Sequence, residues 1–329
     1  MSAAQFRTTQ LPNYIILILY IITGSLGNLG AIDILAPQWI YLGAVNILAC
    51  LYLFFNTESA QFGLSKLSKS IFIYVYLFYF IWSGLSYFYA INPTETLINL
   101  PRLGNTFFAI FFCFLFLHGL ENKIVFISRV FIGFLAFELS SFYSDLFTQL
   151  ETSAFNYMNL KGVAGNKNIT AASIAFKVPF VLYSIVTVRK GLLKLILSFL
   201  LFTAIFAISI LYARSAILSS FMVFLIFLIY SVFTLLSDRS QFKQNLKNLS
   251  LTIVPYLIAV LLNITFTNSQ NKGNIGSQLG DIEFTEQSSN GRFQYWSDAS
   301  EHIQDHPIIG AGLGNWKIAS ISYGKEPVS

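Results

Sequence analysis

Arg129, Glu138, Lys177 and Arg214 stand inside or beside long apolar runs. A charge in that setting is a functional candidate, because hydrocarbon does not solvate it. Arg129 lies one turn inside its run, where a long basic side chain reaches the interface by extending along the helix. Glu138 and Lys177 lie deeper, at similar depth on successive antiparallel segments. That placement predicts a structural ion pair, with a substrate or proton role as the alternative. Arg214, in LYARSAIL, sits at a tight connection between two apolar runs, where a cation is disfavoured and an interface anchor is the plain reading. Arg292, in NGRFQYW, opens an amphipathic stretch, where a solvated charge is the plain reading. The segment DHPIIGAGLGNW holds Gly310, Gly312 and Gly314. It has the look of a phosphate loop but lacks the strand-loop-helix setting of one. Its glycines therefore point to a tight turn and close backbone approach.

Metal and redox chemistry find little support. Cys50 and Cys113 lie in apolar runs without a neighbour at ligand spacing. His118, His302 and His306 are too scattered for a metal cluster. Nothing in the residues calls for a cofactor.

The elements that must carry these residues follow from composition. Apolar residues make up 55% of the chain, aromatic residues 17% and charged residues 11%, against roughly 25% charged in a soluble domain. The 34 Phe and 17 Tyr exceed what one soluble core could cover and suit a helix bundle standing in lipid. The formal charge of +5 then belongs to span-flanking loops and gives no indication of nucleic acid. A span needs about 20 apolar residues. Candidate spans run over 14–32, 37–55, 71–89, 97–117, 124–142, 169–188, 192–211, 216–236 and 251–266. The fold expected is all-α, a polytopic transmembrane bundle of about nine spans over 1–266, followed by a loop segment over 267–329. The first span reads as a retained signal anchor.

With the N-terminus inside, one side holds Arg7, Lys66, Lys69, Lys123, Arg129, Arg189, Lys190, Lys194, Arg239, Lys243 and Lys247. The other holds Arg102, Lys161, Lys167 and Arg214. That bias makes the first side cytoplasmic and the 267–329 segment periplasmic. The segment opens with the polar NSQNKGNIGSQLGD. From Gly291 to about Asp305 it predicts an amphipathic helix with Phe293, Trp296, Ala299 and Ile303 on its apolar face, Asn290 as cap and Pro307 as stop.

Three segments together resemble the O-antigen ligase and polymerase superfamily. GNKNITAAS, from Gly165, opens the sixth span as the family's Asn-containing segment does. ARSAIL, from Ala213, is similar to its Ser-Arg-Gly/Ser-Ala motif. NGRFQYWSDASEHIQDHPIIGAGLGNW, from Asn290 to Trp316, is similar to its Gly-Arg…Trp…His-Pro-(Ile/Leu)-x-Gly-x-Gly-x-Gly pattern.

The resemblance implies transfer of a glycan from a polyprenyl-pyrophosphate carrier to an acceptor at the periplasmic face of the bacterial inner membrane. Lipid A–core is the acceptor for a ligase, another repeat unit for a polymerase, and a protein hydroxyl for the protein-glycosylating relatives. It implies that Arg214 and Arg292 bind the donor pyrophosphate without a metal. Lys167, Asn168 and His306 are further candidates for substrate contact. His306 matches the family's His-Pro turn, whereas the family's general base lies in a His-containing acceptor segment with no counterpart before Ser329. The chain is therefore expected to be a C-terminally incomplete form, inactive alone, with a mobile tail. A lipid-linked-glycan flippase or other transporter is the reading from a different class. It would show polar groups along a mid-membrane path and repeat symmetry, and the sequence offers only Glu138 and Lys177 and no repeat.

Overall fold

A computed structural model describes residues 10–27, 33, 35–151, 159–237, 239–269 and 292–323. The polar stretch from residue 270 on, the cap expected at Asn290 and the end of the first expected span lie outside them. Twelve α-helices are present among the described residues, and no strand. They are α1 (Gln10–Ile22), α2 (Ala36–Phe55), α3 (Thr57–Leu67), α4 (Ile71–Leu85), α5 (Pro93–His118), α6 (Lys123–Glu151), α7 (Lys167–Thr187), α8 (Gly191–Ile210), α9 (Arg214–Ser237), α10 (Phe242–Ser269), α11 (Arg292–Asp305) and α12 (Trp316–Ala319).

Eight helices are long and apolar enough to cross a membrane, as expected for a polytopic bundle. The first expected span, 14–32, appears as a shorter apolar helix over Leu11–Ser25. The last span departs the other way. Expected over 251–266, it begins at Phe242 and runs for 28 residues with Pro255 inside. The fourth begins at Pro93, four residues before the apolar run. Asn92 caps it by accepting from the Thr94 N–H at 3.1 Å, with proline in the first turn, the position where a missing N–H costs nothing.

The chain divides into two compact units. One is drawn from Met1–Thr23, Leu35–Leu120 and Glu283–Ser329, and the other from Gly24–Ile34 and Glu121–Ile282. In the first, α5 packs against α1, α2 and α4. A polar thread joins three of these helices: the Tyr20 hydroxyl donates to Asn46 Oδ1 at 2.8 Å, and Asn46 Nδ2 donates to the Asn105 carbonyl at 3.0 Å. Away from water such groups must satisfy one another, so the thread fixes the register of α1, α2 and α5.

The second unit holds the larger apolar core. Its helices α7 and α8 are enclosed by α6, α9 and α10, with Ile174, Val181, Ile185, Leu201, Ala204 and Ile208 fully buried. The expected Glu138–Lys177 pair forms here, 2.9 Å apart between α6 and α7, with each side chain 7% exposed. Ser173 completes it, donating to Glu138 Oε1 at 2.9 Å and accepting from Lys177 Nζ at 2.6 Å. The N-terminal halves of α8 and α10 lie side by side, since Ser198 Oγ donates to the Leu251 carbonyl at 2.7 Å. Their C-terminal halves meet through Phe206 and Phe266. One end of this unit therefore carries Arg189, Lys190, Lys194, Lys243 and Lys247. The other carries the 159–166 connection, Lys167 and Arg214.

Candidate functional site

At that second end of the α6–α10 unit, short-range chemistry fixes the backbone. Gly162 and Gly165 adopt φ of 55° and 67°, a region glycine enters without steric cost. The Gly162 N–H donates to Asp145 Oδ2 at 3.2 Å, and Thr170 Oγ1 donates to the Lys161 carbonyl at 2.6 Å. A Cβ on Gly162 would stand 2.9 Å from Thr170 Cγ2, so the connection closes on α7 only with glycine there. Asn166 then caps α7, its side chain accepting from the N–H groups of Asn168 and Ile169. Lys167 and Asn168 fall in the first turn, Lys167 half-buried and Asn168 exposed.

Arg214 is delivered by the sharp α8–α9 connection. Tyr212 takes a φ of 55°, the one described non-glycine residue at positive φ. A bulky residue in that region marks a strained, over-determined turn. Leu211 and Ala213 on either side are buried and hold it. Arg214 is the first residue of α9 and is half-buried. A cation adds to the positive end of the helix dipole there, which disfavours the helix and favours an anion.

Beside Arg214 a groove of about 500 Å³ opens between α7 and α9, lined by Ala172, Ala175, Phe176, Pro179, Phe180, Ser215, Ala216, Ser219 and Val223. Small residues on both helices create it. It follows the helices for about 12 Å, at 1.5 Å per residue. Its mouth lies where both helices begin, so an anion-favouring end meets an apolar channel. The sequence signal for this groove was the spacing of small residues at 172, 175, 215, 216 and 219, which composition alone does not single out.

The remaining candidates lie in the other unit. Arg292 is the first residue of α11, a helix that forms over the expected range. The face it turns inward is not the expected apolar one. Trp296 and Ile303 are 62% exposed, whereas Asp298 and His302 are buried. Gln294 Nε2 donates to Asp298 Oδ1 at 2.7 Å along that polar face. His302 packs against His306 and Trp316 in tilted ring contacts and against Tyr323 edge-on, and its buried ring nitrogens have no hydrogen-bond partner among the described residues. Hydrophobic periodicity selected the wrong face because these partners are themselves aromatic and polar. His306 follows the end of α11, where its N–H donates to the His302 carbonyl and its carbonyl accepts from the Gly310 N–H. It is the turn residue expected. Fourteen residues of helix, about 21 Å, separate it from the start of α11 at Arg292.

The glycine-rich segment does what its glycines suggested. Gly310, Gly312 and Gly314 all have positive φ. A Cβ on Gly312 would stand 2.9 Å from the Ala90 Cβ, and one on Gly314 would overlap Asn99 Nδ2. This close approach lets the segment latch onto the start of α5. The Asn92 N–H donates to Asn315 Oδ1 at 2.7 Å, Asn315 Nδ2 donates back to the Asn92 carbonyl at 3.2 Å, and the Leu313 N–H donates to Ser86 Oγ at 3.0 Å. The expectation of a tail without a packing partner is thus corrected for residues 307–323. Beyond the latch, the Tyr323 hydroxyl donates to Asp305 Oδ2 at 2.8 Å, and this bond holds the phenol above its usual pKa.

Among the described residues no three His, Cys, Asp or Glu side chains lie together as a metal-binding group. No curated protein and no solved structure matches the chain. The O-antigen ligase family model matches residues 167–329, a span that holds the α7 opening, the Arg214 turn, α11 and the glycine latch. The chain belongs to the O-antigen ligase superfamily, polytopic membrane proteins with glycosyltransferase-type activity.

Proposed function

We propose that the chain acts as a ligase, transferring a glycan from a polyprenyl-pyrophosphate carrier to lipid A–core at the periplasmic face of the inner membrane. The observation that carries this reading is the coincidence at one end of the α6–α10 unit. Arg214, Lys167 and the N-termini of α7 and α9 gather where an apolar groove opens. A polyprenyl pyrophosphate has the matching form, an anionic head on a long apolar chain. Guanidinium forks bind phosphate oxygens through paired charge-assisted hydrogen bonds.

In the reaction the acceptor hydroxyl oxygen bonds to the anomeric carbon as the carbon–oxygen bond to pyrophosphate breaks. The bonding pair passes to the phosphate oxygen, and the hydroxyl proton leaves to a base. Negative charge grows on the pyrophosphate, and fixed cations stabilise it in the transition state. Arg214 and Arg292 supply those cations, and the reaction needs no metal. Lys167, Asn168 and His306 are further candidates for substrate contact. The basic helix ends with Arg189, Lys190, Arg239 and Lys243 support a cytoplasmic position for that side, and with it a periplasmic position for Arg214.

The test is transfer from lipid-linked glycan to lipid A–core in detergent, with EDTA present, by purified protein that carries these residues together with the family's acceptor segment. Arg214→Ala and Arg292→Ala should each lower turnover by about 10²–10³, the scale of losing one transition-state donor. Lys at either position should rescue poorly, because it keeps the charge and loses the fork. The double variant should lose far less than the product of the single losses. Near-normal transfer by Arg214→Ala at normal expression would remove the reading.

A further inference from the structure

The opposite end of the α6–α10 unit contains a buried cation without a counter-charge among the described residues. Lys194, at the start of α8, is 2% exposed, and its ammonium donates to Asn248 Oδ1, an acceptor it shares with Gln244 Nε2. An ammonium carries three N–H donors, and a neutral amide oxygen does not neutralise it. The ion pairs among the described residues are Lys177–Glu138 and Lys317–Glu95, so no described carboxylate answers Lys194. Lys247 adds a second cation, its Nζ coming within 4.0 Å of the Cβ position at Gly191. A desolvated ammonium of this kind either gives up its proton or is completed by an opposite charge, and a charged Lys194 needs the second.

Next to Asn248 lies a cleft of about 270 Å³ between the ends of α7, α9 and α10, lined by the hydroxyls and amides of Ser231, Thr234, Ser237, Gln241 and Asn245. A second depression lies at the α9–α10 corner, where Arg239 and Lys243 stand among Leu235, Leu236 and Phe242. Polar donors, a buried ammonium and two rim cations beside an apolar wall are what a phosphodiester with acyl chains requires.

We propose that this cleft is a binding site for an anionic phospholipid headgroup, which supplies the counter-charge to Lys194. Its apolar wall lies at the ends of membrane-spanning helices, where headgroups rather than soluble ions are concentrated. The site is independent of the donor reading, being at the opposite end of the same helices from Arg214.

The test uses the full chain in nanodiscs of phosphatidylcholine alone or with phosphatidylglycerol or cardiolipin, reading lipid retention after detergent extraction and the melting temperature. Anionic lipid should be retained and should raise the melting temperature. The doubly substituted Arg239→Gln, Lys243→Gln protein alters only exposed residues, so folding should persist. It should bind roughly fivefold more weakly per cation removed. Lys194→Met should weaken retention by about tenfold or more, as expected for a desolvated charge pair. Equal retention by wild type and both variants overturns the proposal, as does equal stabilisation by inorganic phosphate. The sequence from 231 to 248 holds one carboxylate, Asp238. If Asp238→Asn abolishes the lipid effect, an internal ion pair is the counter-charge and the proposal is wrong.

Discussion

Lys177 and Lys317 each hold an ion pair, and the two pairs keep their units together by opposite means. Lys177 and Glu138 are both 7% exposed in the middle of the α6–α10 unit, and Ser173 occupies the lone pairs and protons the two leave over. Lys317 is 64% exposed and reaches Glu95, 19% exposed, at 2.7 Å. Beside that surface pair, the work of attachment falls to the neutral Asn315, which is fully buried against Asn92. One unit thus holds its shape from an apolar interior with a closed polar group inside it. The other secures its C-terminal segment with amide hydrogen bonds at a helix end. The difference teaches that charge marks importance here only when it is desolvated.

The sharpest way to break this comparison is at Lys177. Lys177→Met leaves the Glu138 carboxylate buried and unpaired, and the loss should be about 3–5 kcal/mol. Replacing both residues, Lys177→Met with Glu138→Leu, should recover most of it, because the desolvation cost disappears with both charges. Thermal unfolding of the full chain in detergent reads both. A single variant as stable as wild type would mean that the pair is solvated. A double variant with no transfer activity despite recovered stability would instead give the pair a substrate or proton role.

At the latch a smaller effect is expected. Asn315→Ala removes the acceptor of the Asn92 N–H and the donor to the Asn92 and Leu313 carbonyls, a loss of about 1–3 kcal/mol. Gly314→Ala strains the same segment twice, through its φ of +77° and through overlap with Asn99. Both variants should speed hydrogen exchange at the Leu313 amide, which donates to Ser86 Oγ, without altering exchange in α7 or α8. Unchanged protection at Leu313 would show that the segment is held by something other than Asn315.

These features were unequally legible in the sequence. The helical, membrane-spanning architecture was plain, because a run of about 20 apolar residues has few alternatives in lipid. The Glu138–Lys177 pair was legible for the same reason, as two opposite charges at matched depth. The glycines of 310–314 announced a close approach but not its target, since a contact across more than two hundred positions leaves no local signature. The inward face of α11 was misread, because periodicity assumes that apolar residues turn inward, whereas here His302 turns inward against His306, Trp316 and Tyr323. The start of α5 was missed although Asn92 and Pro93 state it, because the apolar run itself begins later. The groove beside Arg214 was invisible, since small residues matter there by what they leave empty.

The smallest expected effect sits at the Lys317–Glu95 pair, and its two halves are not equivalent. Lys317→Met removes an exposed ammonium, and exposed pairs contribute about 0–1 kcal/mol. Glu95 has a second role, because it lies in the first turn of α5, where a carboxylate interacts favourably with the helix dipole by about 0.3–1 kcal/mol. Glu95→Gln loses both contributions and should destabilise more than Lys317→Met. Raising the salt concentration should shrink the Lys317 effect towards zero, since solvent-exposed charges are screened over about 10 Å at 0.1 M. The half-buried Glu95 should keep part of its effect. Thermal unfolding of both variants at low and high salt measures this directly. If Lys317→Met costs as much as Lys177→Met, or is insensitive to salt, the surface pair is desolvated and the contrast between the two units fails.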